Sequence, residues 1–156
     1  LLILDVFANE PAINLEVVNA CWLATPHIAG YSLDGKLQGS WQVFSSWCKF
    51  VGIQPQQELA SFLPASHLTG LSLSASLSPQ EACYLAASSC YQPLVDMHRF
   101  VNQLKSTELK SNQPTPSQVF QLLRKNYPIR REFAHCKIHT ESPQQAQALA
   151  ALGFAL

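Results

Sequence analysis

Two short segments of this chain carry residue types that do acid/base chemistry. The first is Leu4-Asp5-Val6-Phe7-Ala8-Asn9-Glu10-Pro11 and the second is Thr25-Pro26-His27-Ile28-Ala29-Gly30-Tyr31-Ser32-Leu33-Asp34-Gly35-Lys36. Each follows a short apolar run, so Glu10 and His27 are both expected in loops. An imidazole in such a loop accepts or donates a proton near neutral pH. A carboxylate bonded to one ring nitrogen fixes the tautomer and stabilises the imidazolium. From spacing alone, a packed loop histidine and a solvated Glu before Pro11 are the favoured readings. Asp5 reads either as a ligand contact at a sheet edge or as a turn cap.

Other chemistries fit less well. No GxSxG occurs, and Ser32 has no nucleophile-elbow setting. His135, Cys136 and His139 lie on an expected strand, which would turn Cys136 away from the two histidines. With no second ligand pair nearby, surface histidines are the better reading than zinc. No GxGxxG or Walker pattern is formed by the glycines at 30, 35, 39, 52, 70 and 153. Arg124-Lys125 and Arg130-Arg131 flank Tyr127-Pro128. A solvated basic corner is the plain reading; contact with a phosphate or carboxylate is the sharper one.

The positioning elements follow from pattern. Leu1 to Phe7 reads as a buried strand of a parallel sheet, Leu15 to Asn19 as a helical turn, and Ala20 to Ala24 as a second strand. Two strand-then-loop units in succession suit the ligand edge of an α/β sheet. Residues 33 to 51 read as a helix, with Leu37, Trp41, Phe44, Cys48 and Val51 on one stripe. Ser32 or Asp34 can cap it and Gly52 can end it. The polar Gln54-Pro55-Gln56-Gln57 stretch marks the expected domain boundary, between 1–52 and 53–156. Beyond it, Leu68 to Leu77 alternates as a strand. Helices are expected from Pro79 to Cys90, from Pro93 to Leu104, and from Pro116 to Tyr127. Lys105 to Pro116 is expected as a loop. Phe133 to His139 reads as another strand, and Pro143 to Leu152 as a helix stopped by Gly153. That order suggests a small α+β domain.

Bulk properties narrow the class. The 156 residues are 47% hydrophobic but only 13% charged, about half the usual charged share. So little charge suggests surface covered by further sequence or by a partner subunit. Net charge is zero and no basic run occurs, which argues against nucleic acid or an acidic membrane surface as partner. Five cysteines without CxxC spacing suit a reduced, cytoplasmic protein. The apolar runs are too short to span a bilayer. The opening Leu-Leu-Ile-Leu lies inside an expected strand, so residue 1 is expected to be a truncation point.

The two loop segments together resemble the D-isomer-specific 2-hydroxyacid dehydrogenases, which carry LDVFxxEP and then TPHxxG near the end of their NAD-binding domain. Within that family, the His loop and the tail segments Leu63-Pro64 and Leu123-Arg124-Lys125-Asn126-Tyr127-Pro128-Ile129-Arg130-Arg131-Glu132 are similar to the members acting on 4-phospho-D-erythronate. The resemblance implies an α/β fold: the end of a doubly wound, Rossmann-like NAD-binding domain over 1–52, then an α+β dimerisation domain over 53–156. It implies that His27 takes the proton of the substrate 2-hydroxyl while hydride leaves for NAD, and that Glu10 bonds His27 and strengthens it as a base. Asp5 and Gly30 would lie at the NAD site, Asp5 toward the nicotinamide end, and Tyr31 would touch substrate. No metal is expected, on the reading of His135, Cys136 and His139 given above. The product would be 2-oxo-3-hydroxy-4-phosphobutanoate, on the way to pyridoxal phosphate, made by a cytoplasmic homodimer. The family's Gly-rich loop, substrate domain and carboxylate-binding Arg fall upstream of Leu1, so the isolated chain is expected to be inactive. A non-catalytic dimerisation module and a 2-hydroxyacid dehydrogenase of other specificity are the alternative readings.

Overall fold

The computed structural model describes residues 1–107 and 114–156. In chain order the elements are β1 (Ile3–Leu4), α1 (Leu15–Ala20), β2 (Leu23–Ala24), α2 (Leu33–Val51), β3 (Gly70–Ser72), α3 (Pro79–Cys90), α4 (Pro93–Thr107), α5 (Pro116–Lys125), β4 (Lys137–His139) and α6 (Pro143–Ala151). Single 3-10 turns lie at Leu59–Phe62 and Phe133–His135. The described residues thus form a mixed α/β structure with six α-helices and two small parallel strand pairs, β1 with β2 and β3 with β4.

The chain divides into two compact units, each discontinuous in sequence. One comprises Leu1–Tyr31 and Gln92–Pro128. Its core joins Phe7, Ile13, Val18, Cys21 and Ala24 to Phe100, Leu104, Val119, Phe120 and Leu123. Burying the Phe, Ile, Val and Leu side chains among them is the main favourable term here, about 1.5–3 kcal/mol each. Helix α4 supplies Phe100 and Leu104, and packs against both α5 and β2. The parallel pairing of β1 and β2 agrees with expectation, but only two residues of each run form the ladder. The expected burial of this strand is corrected, since Leu1, Leu2 and Ile3 are exposed in this chain. A two-stranded ladder packed on one side leaves its other face uncovered.

The other unit comprises Ser32–Tyr91 and Ile129–Leu156. Its core gathers Leu73, Ala82, Ala86, Cys136, Ile138, Leu149 and Phe154, with α3 packed on α6. Small alanines at 82 and 86 allow that close approach. Helix α3 starts at a complete capping box, Ser78 with Glu81, followed by Pro79. Helix α2 is capped by the Ser32 hydroxyl, which accepts from the Gly35 amide at 3.0 Å. It ends at Gly52, whose φ of 73° suits a residue without Cβ. Of its expected apolar stripe, Cys48 alone is fully buried.

Both long strands expected in this unit are shorter. The Leu68–Leu77 alternation yields a strand only over Gly70–Ser72. Buried Gln145 explains the stop: its amide donates to the carbonyls of Ser74 at 3.0 Å and Leu77 at 2.7 Å, fixing a turn instead of a ladder. Phe133–His135 forms a 3-10 turn rather than the start of β4. Of the expected loop from Lys105 to Pro116, residues 105–107 belong to α4 and residues 108–113 lie outside the described residues.

Candidate active site

The site builds outward from the ends of β1 and β2. Parallel pairing of Leu4 with Ala24 brings the two following loops to the same edge. Asp5, the residue after β1, then organises the loop after β2. Its Oδ1 accepts from the Thr25 hydroxyl and from the Ile28 amide, both at 2.7 Å, and its Oδ2 accepts from the Ala29 amide at 3.0 Å. These bonds flank His27, whose φ of 55° is in the left-handed region. That conformation costs a non-glycine residue about 1–2 kcal/mol, and anchored neighbours are what maintain it. Asp5 therefore acts in this chain as the brace that presents the imidazole. Of its two sequence readings, the turn-capping one describes these contacts.

Glu10 is positioned from the other loop. Its Oε1 accepts from the Phe7 amide at 2.8 Å, and its Oε2 lies 2.7 Å from His27 Nδ1. Burial alone pushes the Glu10 carboxyl up. The His27 hydrogen bond, the Phe7 amide and the charges of His27 and Arg124 outweigh it and pull the carboxyl below its ordinary value. An ionised carboxylate can only accept, so the proton between the two groups is on Nδ1, and whenever the ring is neutral its lone pair is on Nε2. The His27 side chain is 43% exposed, so the ring is open to a ligand.

Tyr31 lies four residues after His27. Its ring meets Tyr127 edge-on, at 5.9 Å between centroids. The Tyr127 hydroxyl donates to buried Asp96 at 2.6 Å, and Arg99 pairs with the same carboxylate at 3.4 Å. The guanidinium of Arg124 stands over the Tyr31 ring, 5.3 Å from its centroid. A Cβ built on Gly30 would meet no atom within 4 Å, so open space surrounds that backbone.

The structure thus brings together Asp5, Glu10, His27 and Tyr31 in one unit, and places Gly30 on the same loop. Of the two readings of the basic corner, solvation does not describe Arg124, which is half-buried against Tyr31 and Phe120. The basic corner also breaks up elsewhere. Arg130 lies over the Tyr91 ring at 4.5 Å, while Arg131 forms a buried fork on Asp34. His135, in the 3-10 turn before β4, pairs with Asp34 at 2.6 Å. Among the described residues, no group of three or more His, Cys, Asp or Glu is arranged to bind a metal. No helix among them is long and apolar enough to cross a membrane.

Comparison with known proteins agrees with the resemblance seen in the loops. The chain is 36% identical to a protein named erythronate-4-phosphate dehydrogenase from Marinobacter nauticus, over 99% of this chain and 39% of the relative. It is 40% identical to the protein of that name from Pseudomonas putida, over 99% of this chain and 40% of the relative. The Stutzerimonas stutzeri protein of that name is 37% identical, again over 99% and 40%. The chain spans about two fifths of the length of these relatives, in their C-terminal portion. By its match over residues 62–153, the chain belongs to the family described as Domain of unknown function (DUF3410).

Proposed function

We propose that this chain is the C-terminal part of a cytoplasmic, NAD-dependent dehydrogenase that oxidises 4-phospho-D-erythronate to 2-oxo-3-hydroxy-4-phosphobutanoate, on the way to pyridoxal phosphate. The observation that carries the reading is the 2.7 Å pairing of Glu10 with His27 on two loops at one sheet edge. The substrate is the one in the name that the relatives carry. His27 Nε2 takes the 2-hydroxyl proton and returns it in the reverse direction. Glu10 holds the ring in the competent tautomer and stabilises the imidazolium as it forms. Tyr31 contacts substrate. NAD, when bound, supplies the acceptor for the hydride from C2. The open backbone at Gly30 and the loop braced by Asp5 fit its nicotinamide end.

In this reading residues 1–52 close the NAD-binding domain, which is doubly wound and Rossmann-like, and residues 53–156 form a homodimerisation domain. Exposed Val43, Phe44, Trp47 and Phe50 on α2, with Phe62 beyond it, favour a contact that also includes this helix. Light scattering of the chain, with Phe50→Asp as control, tests the association. A monomer at high concentration counts against it.

The enzymatic test is NADH formation by the full-length protein containing this chain, with 4-phospho-D-erythronate as substrate. Activity lost in His27→Asn supports the reading, and an inactive wild type overturns it. The 156-residue chain by itself is expected to show no turnover, because it has no Gly-rich phosphate loop. If the chain associates while the full-length protein lacks activity, the module reading replaces the enzyme.

A further inference from the structure

Among the described residues, Arg124 is a cation with no fixed anionic partner. It sits in the last turn of α5, and its Nε is buried without a hydrogen-bond acceptor. No carboxylate lies within ion-pair distance of it among the described residues, whereas Arg99 and Arg131 each have one. Leaving a buried N–H without an acceptor is destabilising, and such groups in folded proteins call for an explanation. The guanidinium is held in place by rings, 5.3 Å from the Tyr31 centroid and 5.8 Å from that of Phe120. Its charge is felt at Glu10, so it belongs to the same neighbourhood as the acid/base pair. A preoriented, unneutralised fork beside Tyr31 is built to take an oxyanion.

We propose that Arg124 binds the phosphate of the substrate and sets the preference for a phosphorylated over an unphosphorylated 2-hydroxy acid. This rests on the reading above. With the C2 hydroxyl at His27, the C4 phosphate is the dianion two carbons further along the substrate. Tyr31 and Phe120 hold the guanidinium plane, so the arginine loses little freedom on binding.

The test uses the full-length protein with Arg124→Met, which keeps the apolar stem, and Arg124→Lys, which keeps charge without the fork. Kinetics are measured with 4-phospho-D-erythronate and with D-erythronate. In Arg124→Met, KM for the phosphorylated substrate is expected to rise about 10- to 100-fold, the range for losing charge-assisted hydrogen bonds. KM for D-erythronate and kcat for either substrate should stay within about 3-fold, with Arg124→Lys intermediate. Equal losses on both substrates, or an unchanged KM, overturn the phosphate assignment. A second readout is independent of turnover: the NMR signal of the Arg124 Nε–H during titration with inorganic phosphate. A saturable shift supports the site even if the wild type fails to oxidise 4-phospho-D-erythronate, in which case only the substrate reading falls. A signal that does not move overturns the proposal.

Discussion

Among the described residues there are two histidine–carboxylate pairs of almost the same length, Glu10 with His27 at 2.7 Å and Asp34 with His135 at 2.6 Å. Their surroundings differ. Asp34 also accepts from Arg131 Nε at 3.0 Å and Nη2 at 3.1 Å, and from the Glu132 amide at 2.9 Å. The remaining Arg131 nitrogen, Nη1, donates to the Pro64 carbonyl. That carboxylate is neutralised by a guanidinium whose side chain is only 7% exposed, and it ties together segments 97 positions apart. Glu10 has one backbone amide besides His27, and Arg124 acts on it through charge alone. The same two groups therefore serve different ends. Both imidazoles are open to a similar degree, 43% for His27 and 38% for His135, so the difference lies in the carboxylates: Asp34 is closed by a guanidinium fork and fastens loops, whereas Glu10 has no such fork.

The comparison is broken most directly by exchanging the two histidines separately. In the full-length protein, His27→Asn is expected to lower kcat/KM by about 10²–10⁴, the usual worth of a positioned acid/base. His135→Asn should leave kcat/KM within about 3-fold. Steady-state NADH production measures both. Equal losses from the two variants would erase the distinction.

Stability should show the reverse order. Removing one member of a buried ion pair leaves an uncompensated charge and costs about 3–5 kcal/mol. Arg131→Met is expected to lose that much in urea unfolding. Glu10→Gln should lose about 1 kcal/mol, the worth of one partly exposed hydrogen bond. A cost for Glu10→Gln as large as that for Arg131→Met would place both pairs in the structural class. The pH dependence follows from direction. Both carboxyls are held below their ordinary values of 4.5 for Glu10 and 3.8 for Asp34. Each contribution is therefore complete above the ordinary value and is lost as pH falls through it toward the depressed folded value. Asp34→Asn should flatten the acid limb of the stability curve, and Glu10→Gln should flatten it less. An acid limb unchanged in Asp34→Asn would contradict the assigned direction.

How much of this was legible in the sequence depended on the range of the controlling interaction. Helices α2 and α3 were readable because Ser32, Gly52 and the Ser78–Glu81 box act within a few residues. The Glu10–His27 pair was readable as two loop residues after two strands, and the family motifs joined them. The shortened β3 was not, because the group that ends it, Gln145, comes from the start of α6. The Asp34–Arg131 fork left no local signal for the same reason. Arg124 was visible as a basic residue, but its burial depends on Tyr31 and Phe120, and only the latter is near it in sequence.

The smallest expected effect is conformational, and it separates the two histidines without any assay of activity. His27 has a φ of 55°, while His135 lies in a 3-10 turn. Asn adopts the left-handed region more readily than other non-glycine residues, because its short amide bonds locally. At position 27 an Asn variant should therefore be more stable than an Ala variant by about 0.5–1 kcal/mol, part of the left-handed penalty. At position 135 the same two substitutions should agree within about 0.5 kcal/mol, since neither meets a positive φ. Thermal unfolding of the four single variants measures both differences. Equal stability of His27→Asn and His27→Ala would mean that the loop relaxes when the imidazole is gone. The left-handed turn would then be a consequence of the Glu10 bond, and Asp5 would not be its brace.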